Sequence, residues 1–176
     1  MSDRFYDFCD YPSWITENCQ KFYDLAKSYK KSIRVILYNE THFQEGIYSE
    51  RDVFPILFLF RHYLELFIKS LILEKQNKAP TNHKIKDLIS EAKRLNPSFE
   101  FSKESSEFIN WIISQDEVGD KFRYPFDKKM NENFVSDNKN IAKGVSLSYV
   151  SVNLNRIFSE IEKFKSPNPS TASNPK

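Results

Sequence analysis

Residues Arg51 to Leu73 read RDVFPILFLFRHYLELFIKSLIL, a run that is apolar on nearly every side and still carries four polar groups near its middle. No other stretch restricts the fold so strongly. A helix that is apolar all round belongs in a core. Placed at about 100° per residue from Phe58, Arg61, His62, Glu65 and Lys69 fall at roughly 300°, 40°, 340° and 20°, a single narrow stripe. Burying charge without a partner costs on the order of several kcal/mol, so these groups are expected to pair with one another or to face a cleft. Arg61 and Glu65 stand four residues apart, as do Glu65 and Lys69, the spacing at which side chains meet along a helix.

The rest of the chain supplies the layers that would cover such a helix. With 176 residues, 40% hydrophobic and 28% charged, it has the size and composition of one globular domain. The first helix is expected from about Ser13 to Tyr38, with Phe22, Leu25, Ala26, Tyr29, Ile33, Ile36 and Leu37 recurring at helical spacing. Residues 39–48 read as a loop holding His42. The second helix starts near Ser49, where Ser49 and Asp52 have capping-box spacing, and ends around Gln76. Pro55 sits awkwardly inside it unless the regular helix begins just before that residue or kinks in its first turn. A third helix is expected from about Asn82 to Leu95, stopped by Asn96-Pro97. Ser102 caps a fourth, which carries Phe108, Ile109, Trp111, Ile112 and Ile113. Residues 116–140 are polar and irregular around FRYPFD. A last helix ends near Lys165, although its opening, VSLSYVSV, alternates with the period of a strand. Residues 1–165 thus form one all-α, up-and-down helical bundle of four to five helices. Residues 166–176, rich in Ser, Pro and Asn, form a disordered tail.

Several function classes find little to stand on. Three glycines are few for a phosphate-cradling loop. No Cys or His pair has zinc-ligand spacing, so no metal or other cofactor is expected. Cys9 and Cys19, behind a start that is acidic and aromatic, read as reduced thiols in a cytoplasmic chain. Only eight apolar residues, Val53 to Phe60, precede Arg61, too few to span a bilayer, which takes about 20. The net charge of +2 does not by itself call for nucleic acid. The Lys-rich stretches at 27–31 and 84–94 read as solvated faces, and only clustering in space would make them an RNA surface.

Three segments together, FLFRHYLELFIKSLI, NHKIKDLI and FRYP, resemble a bacterial group of HEPN-like helical-bundle proteins over roughly Arg51 to Asp127. The recurring pattern there is an Arg-His-x-x-Glu-x-x-x-Lys helix, a following His-x-x-x-x-Leu helix, and a late Phe-Arg-Tyr-Pro loop. The resemblance implies an RNA- or nucleotide-binding module, a divergent ribonuclease or toxin component in stress or phage defence, or a non-catalytic bundle that only dimerises or binds another protein. Arg61, His62, Glu65, Lys69, His83, Arg123 and Tyr124 are the binding residues it points to, with His62 and Glu65 as candidates for catalysis. Arg61 and Lys69 would hold phosphate, His62 would titrate near neutrality, and Arg123 and Tyr124 would close over the site. His83, at a helix start, would welcome an anion. The chain departs from the ribonuclease members, in which a His follows an Arg by about four to six positions. Its histidines are His42, His62 and His83, and none has that spacing. The competing reading is an internal ion-pair ladder that sets helix register and holds no ligand.

Overall fold

A computed structural model of the chain describes residues 19–42, 50–76, 78, 80–116, 119, 122 and 147–165. Residues 13–18 of the expected first helix, Trp14, Arg123, Tyr124 and the expected tail lie outside them. The described residues form an all-α bundle of five helices: α1 (Cys19–His42), α2 (Glu50–Gln76), α3 (Ile85–Leu95), α4 (Lys103–Gln115) and α5 (Leu147–Lys165). None of these helices is long and apolar enough to cross a membrane.

α2 is the axis of the bundle. Ile56, Leu57, Phe60, Leu64, Phe67, Ile68 and Ile72 are at most 1% exposed, and they point to more than one side of the helix. That is what an all-round apolar sequence demands. The ring contacts give the directions. Tyr23 meets Phe67 and Tyr29 meets His62, so α1 and α2 run antiparallel. Phe99 meets Phe67 and Phe108 meets Phe60, so α4 also opposes α2. Phe158 of α5 stands edge-on to Tyr63, with centroids 5.0 Å apart, and closes the core from the remaining side. Edge-to-face ring pairs contribute about 0.5–1.5 kcal/mol beyond the area they bury.

The ends of the helices follow local chemistry, with three corrections. α1 runs through His42, so residues 39–42 are helical where a loop is expected; Asn39 and Thr41 are weak helix formers, but Glu40 is a good one and nothing there is a breaker. α2 takes Pro55 inside it from a start at Glu50. The ring removes one backbone donor, close enough to the helix start that a single carbonyl loses its partner. α3 begins at Ile85 and not at Asn82, because Asn82 Oδ1 accepts the Lys84 N–H at 2.8 Å and makes a turn of its own. Ser102 caps α4 as expected, accepting the Ser105 N–H. The residues from Leu147 onward are helical, which decides against the strand.

Candidate functional site

The stripe on α2 meets two segments that return to it from elsewhere in the chain. The first is the connection before α3. His83 lies there, its side chain largely exposed, and its Nδ1 is 2.8 Å from Glu65 Oε1. The second is the turn that ends α4. Asp116 is 1% exposed, and its carbonyl accepts a bond from Arg61 Nε at 3.2 Å.

Glu65 is the hub. Its Oε1 faces Lys69 Nζ at 3.0 Å as well as His83, and its Oε2 accepts from Arg61 Nη1 at 3.3 Å. Burial pushes the Glu65 carboxyl up, but the charge of Lys69 and the bonds from Lys69 and His83 outweigh it and hold the group below the ordinary carboxylate range. Arg61 is spread over three acceptors in three segments: Glu65, the Asp116 carbonyl, and the His83 carbonyl at 2.9 Å from Nη2. A planar guanidinium with a fixed fork of donors suits that task; a lysine does not. Arg61, Glu65 and Lys69 are each at most 6% exposed.

Gly119 completes the enclosure. Its φ is +86°, in the region that favours glycine, and a Cβ there would lie 2.6 Å from Arg61 Nη1 and 2.8 Å from Cζ. The backbone is laid directly on the guanidinium. Asp116 shapes this turn by accepting the Gly119 N–H at 2.8 Å and the Phe122 N–H at 3.4 Å with its two carboxylate oxygens. Phe122, the first residue of FRYP, is buried and packs toward Phe54.

His62 stands apart from this network. Its ring lies 4.9 Å from that of Tyr29 on α1 and stacks near Phe58. The angular position that put it in the stripe is the edge nearest α1, and contact with that helix draws the imidazole away. Burial lowers its pKa, opposed by the charge of Glu65 and reinforced by Arg61 and Lys69. The imidazole is thus held below the ordinary histidine value. Among the described residues no group of three or more His, Cys, Asp or Glu could hold a metal ion.

Asp116 and Gly119 were missed in the sequence reading. Their one signal was the run Asp-Glu-Val-Gly, an acidic residue followed by a glycine at turn spacing. Glu160 was missed too. It reaches from α5 to the N-terminus of α4, accepting from Ser102 N–H at 3.1 Å, Ser102 Oγ at 2.6 Å and Ser105 Oγ at 2.9 Å. A carboxylate there complements the helix dipole and pins the two helices together.

Set against protein-family models, curated proteins and solved structures, the chain matches none.

Proposed function

We propose that this chain is a HEPN-like module that binds RNA or a nucleotide and does not cleave it, and that the network around Glu65 is a lock for the fold. The observation that carries this reading is how fully Arg61 and Glu65 are committed. Arg61 donates to three protein acceptors, and both Glu65 oxygens are taken by cations of the same bundle. A phosphate reaching Arg61 would have to displace Gly119 and break these bonds. A general base needs a carboxylate or imidazole within hydrogen-bond reach of substrate. Glu65 is covered, and His62 is wedged among rings. Binding then falls to exposed cations, and α1 carries Lys27, Lys31 and Arg34 on its surface.

The test is a fluorescence-anisotropy titration of the whole chain with short single-stranded RNA at low and high salt, beside a cleavage assay in EDTA. Binding that weakens steeply with salt, with RNA left intact, is expected. Cleavage in EDTA that disappears in His62→Ala would overturn the reading.

One observation favours a second reading, a scaffold that pairs with itself or another protein. Val35 and Tyr38 on α1 and Tyr149 and Val152 on α5 are each more than half exposed. Light scattering across a concentration series, with Val152→Asp as the variant, separates a dimer from a monomer.

A further inference from the structure

Away from the locked network, α1 and α5 leave an open cleft of about 450 Å³ between them. We infer that this cleft is a site for a single nucleotide, with its phosphate on Lys31 and Arg34 and its base against Tyr38; the inference deepens the binding reading above and rests on it.

Charge comes first. Four cations line the cleft, Lys27, Lys30, Lys31 and Arg34, against one carboxylate, Glu162. Two of the four are occupied: Lys30 bonds to Glu162 and Lys27 pairs with Asp24 at 2.6 Å. Among the described residues no carboxylate lies within ion-pair distance of Lys31 or Arg34. The guanidinium of Arg34 stands 5.9 Å over the ring of Phe158, a contact that orients it, and its charge acts on Glu162 across the cleft without a contact ion pair. Glu162 is held by Lys30, so one carboxylate faces four cations and the cleft keeps an excess of positive charge for an anion to meet.

Shape and aromatic content narrow the ligand. Buried Tyr63 and Ile161 lie at the bottom of the cleft, while Tyr23 and Tyr38 rise from α1. Tyr38 is 57% exposed and follows Arg34 by four residues. Four residues of helix rise about 6 Å, a span suited to a phosphate at one end and a base at the other. The volume falls in the range of small-ligand sites, about 300–1,000 Å³. Inorganic phosphate would leave the tyrosines unused. An aromatic phosphate uses both, as single-strand sites do when a cationic groove runs beside a stacking ring.

The same chemistry is met by a free nucleotide or by one residue of an RNA strand. The experiment titrates the full chain with a fluorescent AMP analogue and with a labelled short single-stranded RNA, using parent, Lys31→Glu/Arg34→Glu and Tyr38→Ala. Both variants are expected to lose at least about tenfold in affinity for whichever probe binds. Tighter binding of the RNA assigns the strand, and equal binding assigns the free nucleotide. Should the parent bind while both variants bind equally well, the cleft is overturned and the binding reading survives. No binding by the parent overturns both. Inorganic phosphate competing as well as AMP, with Tyr38→Ala unchanged, overturns the nucleotide in favour of a bare anion site. Lys31→Glu alone, at an exposed position on the rim of the cleft, repeats the charge test should the double variant fail to fold.

Discussion

Two groups of cations in this bundle have opposite fates. Arg61 and Lys69 lie on the central helix, share Glu65 and are buried, with Gly119 laid against the Arg61 guanidinium. Lys31 and Arg34 lie on the outer helix, face a cleft, and form no contact ion pair among the described residues. Residue types at helical spacing are alike in the two places. Their environments are not. A buried cation held by protein acceptors fixes a fold; one facing an open cleft remains available to a ligand. A charged motif on a buried helix is bound first by the acceptors of its own fold, and only what they leave over can meet a ligand.

The comparison breaks most readily at Glu65. Replacing it by Ala leaves Arg61 and Lys69 buried without their shared counter-charge. The expected cost is about 3–5 kcal/mol, the range for removing one member of a buried pair. A urea melt measures it, and a parent-like midpoint would show that the network is wet and weakly coupled. Gly119→Ala comes next. It places a methyl at a φ of +86° and against the Arg61 fork, with an expected cost of about 1–3 kcal/mol. A double-mutant cycle sharpens the point: in an Arg61→Ala background the steric part of that cost should vanish and only the backbone part remain.

Much of this architecture was legible in the sequence because it depends on neighbours along one helix. The apolar run of α2 announced its burial, and the fourfold spacing of Arg61, Glu65 and Lys69 announced their pairing. Ser102 announced its own cap. What the periodicity hid depends on chain segments distant in sequence. Asp116 looked like the start of a polar loop, although its burial comes from the turn it organises beneath α2. Nothing local to Glu160 shows that the start of α4 lies beside it. His62 sat on the edge of the stripe by angle alone, and Tyr29 of the neighbouring helix drew it out. The cations of α1 were visible as a Lys-rich stretch, but a cleft exists only once α5 is set beside them.

A smaller effect is the pH dependence carried by the central helix. Glu65 is held below the usual carboxylate range, so its contribution is full above the unfolded value of about 4.3 and is lost as pH falls through the lower folded value. His62 adds to the same slope from higher pH. Its folded pKa is depressed, so the unfolded chain takes up a proton first, and stability declines as pH falls below about 6.5. His62→Phe keeps a ring against Tyr29 and Phe58 and removes the titration. Urea midpoints between about pH 7 and 5 should fall in the parent and stay flatter in this variant. An unchanged slope would place His62 in water.

The smallest expected change in stability is the one that most divides the regions. Lys31→Ala removes an exposed side chain that joins no ion pair among the described residues, and substitutions of that kind usually stay within about 0.5 kcal/mol. Its melt should overlay the parent's, whereas Lys69→Ala, on the same chain but inside the lock, should unfold earlier because Glu65 loses its closest ammonium. The two substitutions delete the same group. If they shift the melt equally, burial is not what distinguishes the two sets of cations, and the division between a lock and a binding face fails. If Lys31→Ala leaves the melt in place and weakens nucleotide or RNA binding, the outer helix carries the interaction and the inner one the fold.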